Sequence, residues 1–223
     1  MAEDVKRVYA FGKDAQGNNV TEGNKDMKGV LGGKGANLAE MAVLGLPVPP
    51  GFTITCQTCM EYANAGNTWP EGALDTIQEY RLDLERRIGK KIGDPTDPLL
   101  VSVRSGAPLS MPGMMDTVLN LGLNDRSVHG LIEKTRNPRF SWDSYRRFIQ
   151  MFSNVVMGLE GDLFENAITA KKLERGIRND TDLTADDLQA LVETFKGIFS
   201  ANVSAEAHPE LVVDGAVAFP QDP

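Results

Sequence analysis

Gly29-Val30-Leu31-Gly32-Gly33-Lys34-Gly35-Ala36-Asn37 is a glycine-rich turn that leads into a helix, and it determines how the first half of the chain folds. The helix is predicted to bury Leu38, Met41 and Ala42 on one face and to stop at Gly45. Glycines at a helix start expose backbone N–H groups, which attract phosphate. The lysine is poorly placed beside the positive end of a helix unless an anion is present. A phosphate site and a flexible surface turn with a solvated lysine both remain open.

This turn does not match the two best-known nucleotide motifs. A P-loop needs a glycine where Lys28 stands and a serine or threonine where Gly35 stands. The dinucleotide fingerprint needs a third glycine, which does not follow Gly33-Lys34-Gly35 at the required spacing. The turn therefore indicates phosphate binding in general and no particular nucleotide fold.

A second candidate site follows an apolar strand, Leu99–Val103, at the stretch Arg104-Ser105-Gly106-Ala107-Pro108-Leu109-Ser110-Met111-Pro112-Gly113-Met114-Met115-Asp116-Thr117. Open α/β sheets bind ligands at strand ends, and the planar donors of arginine match phosphate oxygens two at a time. The Pro-Gly turn allows backbone N–H groups to approach an anion. A core-packing loop with a structural arginine–carboxylate pair is the alternative interpretation.

The pattern of elements predicts an α+β fold. Strands are expected at Val8–Phe11 and Phe52–Ile54, followed by a helix capped by Thr55 or Thr58. We expect an α/β subdomain over residues 1–120, with a mixed sheet, and an acidic connector over residues 201–223. A helical subdomain over residues 121–200 is predicted from apolar residues at helical spacing, together with a near-capping box at Thr184 and Asp187. These apolar residues are Tyr145, Phe148, Ile149, Phe152, Val156, Leu188, Leu191, Val192, Phe195 and Phe199.

Composition excludes several classes of protein. Apolar residues make up 41% and charged residues 24% of the 223 residues, and no apolar run reaches the length of a membrane helix. The net charge is −8, and residues 178–223 hold nine acidic residues against two basic ones. The remainder is nearly neutral, so a nucleic-acid platform is not expected. Two cysteines and no signal-like N-terminus predict a cytoplasmic protein.

Three other features are weaker candidates. Cys56-Gln57-Thr58-Cys59 has thioredoxin-like spacing, but two small buried residues are the favoured interpretation. His129 and His208 have no partner in sequence that suggests catalysis, and no metal-ligand spacing is visible. The one basic cluster fits either a solvated helix face or the wall of a cleft: Arg136, Arg139, Arg146 and Arg147.

Taken together, these segments resemble the start of the pyruvate, phosphate dikinase family. The resemblance is carried by Leu31–Met41, Val48–Phe52 and above all residues 97–124, and it extends through Asn137–Phe140 and Asp143–Met151. It covers nearly the whole chain. The related phosphoenolpyruvate synthases, which are water dikinases, are expected to carry an acidic, Ser-Phe-Ala-Gly-like loop where this chain has Ser110-Met111-Pro112-Gly113-Met114-Met115.

The resemblance implies the first part of an ATP-grasp nucleotide-binding domain. Lys34 and Arg104 would hold the ATP phosphates, and Gly113, Met114, Met115, Asp116 and Thr117 would form a loop that closes over them. ATP, with Mg²⁺, would pass a pyrophosphoryl group to a histidine on another domain. Its outer phosphate would go to inorganic phosphate, and the histidine phosphate to pyruvate on a third domain. The full-length enzyme is expected to be a homodimer.

This chain departs from the family pattern in ways that limit what it does alone. It has no Thr-Ser-His-Ala-like carrier motif, no pyruvate-binding barrel and no second half of the ATP-grasp. We therefore expect an N-terminal fragment that is inactive by itself, with the metal ligands outside the chain. Two alternatives remain, a water dikinase and a non-catalytic regulatory or interaction module that kept the fold.

Overall fold

The computed structural model describes residues 5–105 and 117–221, which form two compact units. The first unit contains residues 5–90 with Arg104 and Ser105, and the second contains residues 91–103 and 117–221. The elements of the first are β1 (Val8–Phe11), α1 (Lys28–Val43), β2 (Gly51–Ile54), α2 (Cys56–Asn64) and α3 (Ala73–Ile88). Then come β3 (Val101–Arg104), β4 (Thr117–Leu121), α4 (Ser127–Thr135), α5 (Pro138–Val155), α6 (Gly161–Arg175), α7 (Ala185–Asn202), β5 (Val212–Val213) and β6 (Ala216–Val217).

Helices combined with small sheets give the α+β class that the sequence predicts. The expected mixed sheet is not formed by the described residues, whose strands pair as β1 with β2, β3 with β4 and β5 with β6. The first and last of these pairs are antiparallel. The apolar strand expected at Leu99–Val103 begins later, at Val101, because Leu99 instead forms an isolated bridge with Ile92.

The first unit is organised around the β1–β2 pair, in which Val8 lies opposite Ile54 and Phe11 opposite Gly51. Arg87 of α3, which is buried, donates to the carbonyl oxygens of Phe11 (3.1 Å) and Gly51 (3.3 Å). Its Nε lies 2.8 Å from Asp83 in an ion pair. One guanidinium thus holds both strands at the end of the pair, because two of its donors reach one carbonyl on each strand.

Glu22 anchors the polar stretch between β1 and α1. Its carboxylate accepts hydrogen bonds from the Ala10 amide (2.6 Å), the Tyr80 hydroxyl (3.0 Å) and the Lys6 ammonium. Burial opposes the charge on Glu22, but the bonds from Lys6, Ala10 and Tyr80 outweigh it and lower the pKa of the carboxyl. The segment before the glycine-rich turn is therefore tied to both β1 and α3.

In the second unit α5 and α7 pack against each other and carry most of the core. Tyr145 and Ile149 of α5 and Phe195 and Phe199 of α7 are fully buried, as the helical spacing predicts. The predicted capping box is confirmed: Asp187 N–H donates to the Thr184 hydroxyl oxygen at 3.2 Å, and the Thr184 N–H donates to the Asp187 carboxylate at 3.0 Å.

Residues 201–221, expected to be a connector, pack into this same unit. Val203, Val217 and Phe219 are buried in the helical core, and the Phe219 ring meets Phe199 edge-on with centroids 5.1 Å apart. Three buried apolar side chains stabilise the position of this acidic stretch. The subdomain boundaries expected at residues 120 and 200 stay predictions.

The loop that leads to β3 is held by Asp94, and this gives a pH-dependent contribution to stability. The carboxylate accepts from the Thr96 hydroxyl (2.6 Å) and from the amides of Thr96 (2.7 Å) and Asp97 (2.9 Å). These bonds, led by that from the Thr96 hydroxyl, lower the pKa of Asp94 to about 2. A lowered carboxyl pKa adds stability above the unfolded value of ~3.9 that is lost as pH falls toward 2.

We therefore expect Asp94→Asn to flatten the fall in unfolding free energy between about pH 4 and pH 2. Urea unfolding of both proteins across this range measures the two slopes. The difference below about pH 2 is the control, because Asp94 is protonated there and the difference reports the substitution apart from the ionised carboxylate. Equal slopes for the two proteins would mean that this turn is not held by the ionised carboxylate.

Candidate phosphate-binding site

The glycine-rich turn forms a break inside α1. Gly32 has φ 67° and ψ 171°, so Lys28–Leu31 and the residues after the break are two helical pieces joined by a kink. This backbone region is open essentially to glycine alone. The second piece therefore starts at Gly33-Lys34-Gly35, and the first N–H groups of a helix have no acceptor in the helix itself. The break creates a second helix N-terminus, with Lys34 in its first turn.

Small residues allow the second piece of α1 to lie close against β2. A Cβ on Gly35 would be 2.8 Å from Cγ2 of Thr53, closer than real side chains approach. Ala36 and Ala39 are buried with Leu31 in a small apolar cluster. Because Gly35 has no side chain, the helix contacts Thr53 directly, and this contact sets the distance between the glycine-rich turn and β2.

The predicted buried face of α1 is correct only in part. Ala42 is buried, but Leu38 is half-buried and Met41 is 41% exposed. The face that packs inward is Leu31, Ala36, Ala39 and Ala42. The kink at Gly32 breaks the regular helical spacing on which the prediction depends, so a single continuous periodicity does not describe this helix.

Substitution of Gly32 tests whether the kink is required. We expect Gly32→Ala to lower the free energy of unfolding by about 1–3 kcal/mol, because alanine at this φ and ψ is strained. Chemical denaturation of the chain measures the change. Gly29→Ala is the matched control: Gly29 lies in α1 with no positive φ, and a Cβ there meets open space. Equal stability of the two variants would argue against the kink.

Lys34 is half-buried at the start of the second helical piece. The carboxylate of Glu40, further along α1, is engaged by Lys25, whose ammonium lies 3.6 Å away and whose backbone N–H donates at 3.3 Å. Glu40 thus has a cationic partner, Lys25, in the short helical segment before α1. The charge of Lys34 adds to the partial positive charge of the helix start, which makes the turn attractive to anions.

Arg104 is the last residue of β3 and is exposed, in the same compact unit as Lys34. Four of the predicted loop residues, Gly113–Asp116, lie outside the described residues. Thr117 is half-buried as the first residue of β4 and belongs to the second unit. Although β3 is apolar in sequence, Val103 is 52% exposed. The strand therefore carries its arginine on an accessible edge, in the position that sequence predicts for a ligand-binding group.

Two members of the basic cluster, Arg139 and Arg146 of α5, have structural roles. Arg146 is buried, with Nε and Nη2 at 3.1 and 2.7 Å from Asp143 and Nη1 at 3.1 Å from Gln150. Arg139 donates to the carbonyls of Leu183 and Asp180, both at 2.8 Å. Because these two guanidinium groups are occupied by protein acceptors, Arg139 and Arg146 give no support to a second anion site.

The other candidates also have local explanations. The His129 ring contacts Trp142 edge-on with centroids 5.8 Å apart, and His208 lies 3.1 Å from Glu210. Within residues 5–105 and 117–221, no group of three or more His, Cys, Asp or Glu side chains is arranged to hold a metal ion. No helix in the same part of the chain is both long and apolar enough to cross a bilayer.

Sequence reasoning missed Thr53, which supports the turn from the neighbouring strand. Its contact with Gly35 joins residues 18 positions apart, and nothing in the local sequence marks it. The glycine itself was the available signal, since a glycine inside a helix often indicates close approach of another backbone or side chain.

Comparison with known protein families places part of the chain near nucleotide-binding domains. Residues 28–79, which include the kinked helix and Lys34, match the family model described as the AMP/ATP-binding domain of pyruvate phosphate dikinase. The part of the chain with the kinked helix is therefore similar to a nucleotide-binding domain.

The similarity to one enzyme extends over nearly the whole chain. It is 56% identical over 206 residues, 92% of its length, to pyruvate, phosphate dikinase of Clostridium symbiosum and covers 22% of that protein. It is 53% identical over 218 residues to the chloroplastic enzyme of Flaveria pringlei, with 98% of this chain and 21% of the relative covered. It is 50% identical to pyruvate, phosphate dikinase 2 of Zea mays, with 98% of this chain and 23% of that relative covered.

The resemblance inferred from the motifs is therefore confirmed: this chain is homologous to part of pyruvate, phosphate dikinase, a phosphotransferase. The chain spans about a fifth of the length of the curated relatives that it matches.

Proposed function

We propose that this chain supplies the ATP-phosphate-binding part of a pyruvate, phosphate dikinase. The enzyme would convert ATP, phosphate and pyruvate to AMP, pyrophosphate and phosphoenolpyruvate through a phosphohistidine on another domain. The observation that carries the proposal is the kink at Gly32, which places Lys34 at a helix start within the matched AMP/ATP-binding region. A helix start plus a cation is a favourable site for phosphate.

Lys34 and Arg104 would divide the work at the phosphates. Lys34 acts as a compact positive charge at the helix start, whereas Arg104 offers a planar set of donors for two oxygens at once. Loop residues Gly113, Met114, Met115, Asp116 and Thr117 would close over the phosphates, mainly through backbone donors. Phosphoryl transfer depends largely on such positioning and charge stabilisation.

The donors of this site suit phosphate oxygens and not a cation. Lys34, Arg104 and backbone N–H groups carry positive charge or partial charge, so they would hold the nucleotide. Mg²⁺ prefers carboxylate and water oxygens, and we propose that its ligands lie outside this chain. When bound, Mg²⁺ with ATP would supply neutralisation of phosphate charge. This chain would contribute orientation of the phosphates and exclusion of water.

The remaining features of the proposal concern the whole enzyme. We infer that the chain is part of an ATP-grasp domain and is inactive alone as a dikinase. The phosphohistidine and pyruvate-binding domains would be its partners, within a homodimer. The cytoplasm stays the predicted compartment, although several relatives are named as chloroplastic enzymes.

Dependence on phosphate tests the proposal in the full-length enzyme. We expect AMP formation from ATP and pyruvate to require added inorganic phosphate and to yield pyrophosphate. The identity of 50–56% to pyruvate, phosphate dikinases favours this outcome over the water dikinase. Turnover that continues in phosphate-free buffer would support the water dikinase, and an absence of turnover with all three substrates would support a non-catalytic module.

A further inference from the structure

The sequence contains a pair of thiols that the proposed function does not use. Cys56 and Cys59 lie in the first turn of α2, after Thr55 at the N-cap. Buried structural residues were the favoured interpretation, but Cys59 is exposed and Cys56 is half-buried. No disulfide joins these two residues in this structure. The burial that would make such a pair inert is therefore missing at one of the two positions.

The helix brings the two thiols to the same face. Residues three apart in a helix are neighbours, with Cβ atoms about 5–6 Å apart. Although Cys59 is exposed as a residue, partial desolvation of its sulfur raises the pKa of the thiol, and the neighbouring Cys56 raises it further, so the two groups lie within electrostatic reach of each other. A disulfide needs Cβ atoms at about 3.5–4.5 Å, which requires a local shift of about 1–2 Å.

The start of α2 is the place where such a shift is easiest. Cys56 is the first helical residue, and helix ends adjust more readily than helix interiors. Cys59 is already fixed by its backbone bond to the Thr55 carbonyl at 3.1 Å. Movement of Cys56 toward Cys59 would therefore close the distance while the rest of the helix keeps its hydrogen bonds.

We propose that Cys56 and Cys59 form a reversible dithiol–disulfide site that reacts with low-molecular-weight disulfides such as oxidised glutathione. The exposed Cys59 attacks first: its thiolate forms a mixed disulfide, breaks the S–S bond of the reagent and releases one glutathione thiol. Cys56 then loses its proton and attacks the Cys59 sulfur, which expels the second glutathione thiol. The protein loses two hydrogens, and one disulfide has been reduced to two thiols.

The geometry determines the character of this disulfide. A bond closed across a single helical turn is strained, and strained disulfides are the easily reduced ones. Because the raised pKa of Cys59 leaves little thiolate at neutral pH, the first step is slow and accelerates as pH rises. The test measures thiol chemistry and not ATP binding, so its outcome does not depend on the proposed function.

Incubation of the reduced chain with oxidised glutathione, followed by an acid quench and intact-mass measurement, tests the proposal. The wild type is expected to lose the mass of two hydrogens, to keep no glutathione and to recover with dithiothreitol. Cys56→Ser is expected to retain one glutathione on Cys59, because the resolving thiol is absent. Cys59→Ser is expected to react more slowly, since Cys56 is less exposed.

Other results would overturn the inference. Accumulation of one or two glutathione adducts on the wild type, without loss of two hydrogens, would show that the thiols do not reach each other. Disulfide-linked dimers of the wild type would equally exclude an intramolecular bond. So would a wild type that stays unmodified at pH values where Cys59→Ser and Cys56→Ser both react with glutathione.

Discussion

Arg104→Ala is expected to lower the rate of ATP-driven histidine phosphorylation by about 10²–10³-fold in the full-length dikinase, or about 2.7–4 kcal/mol of transition-state stabilisation. The arginine ends β3 on an exposed edge, where its planar donors suit phosphate oxygens. Charge on those oxygens changes during transfer, so a fixed cation affects the rate more than it affects folding. Rapid-quench measurement of the phosphohistidine gives the rate directly.

Arg147→Ala provides the matched control. Its side chain is 61% exposed on α5, and its Nε lies 3.0 Å from Asp143. Exposed ion pairs contribute about 0–1 kcal/mol, so this variant should keep the wild-type rate. A wild-type rate for Arg104→Ala, or an equal loss in both variants, would contradict the role assigned to Arg104.

Phe199→Ala is expected to lower the unfolding free energy of the second unit by about 3–5 kcal/mol. Phe199 is fully buried, and its ring lies 6.2 Å from Phe152 and 5.1 Å from Phe219 by centroid distance. Truncation removes buried apolar area and leaves a cavity that fixed neighbours fill only partly. Because Phe219 rests on this ring, the variant should also loosen the packing of residues 201–221.

A phenylalanine-to-alanine substitution at the surface shows how much of the stability loss comes from burial and how much from the change of residue type alone. Phe140 is 50% exposed at the start of α5, and Phe140→Ala should change stability by only about 0.5 kcal/mol. Guanidinium unfolding of both variants gives the comparison, and hydrogen exchange of residues 201–221 reports the predicted loosening. Similar stability losses for the two would contradict the assignment of α7 and Phe219 to one core.

Sequence was sufficient where local chemistry determines structure. The Thr184–Asp187 capping box and the Thr55 cap are short-range hydrogen bonds, and the apolar spacing of α5 and α7 requires only a regular helix. Contacts between residues far apart in the chain could not be predicted from the sequence. Nothing in the order of residues indicates that Arg87 joins the ends of β1 and β2, or that Phe219 enters the core of α5 and α7.

The candidate site shows the same division. Lys34 and Arg104 were predicted from local signals, because glycines before a lysine and an arginine after a strand are both typical of phosphate binding. The backbone break at Gly32 was not foreseen, since glycine permits a left-handed conformation without requiring it. Consequently the start of the second helical piece agrees with the prediction, whereas the helical piece Lys28–Leu31 was not predicted and the buried face is correct only in part. The roles of both residues stay predictions.

Calorimetric titration of this chain with ATP and Mg²⁺, beside Arg104→Ala and Arg147→Ala, tests the central claim most directly. If the glycine-rich turn and the end of β3 hold the ATP phosphates, the wild type and Arg147→Ala will bind the nucleotide and Arg104→Ala will bind it much more weakly. Equal affinities for all three proteins, or no binding by any of them, would contradict the claim that this chain itself holds the ATP phosphates.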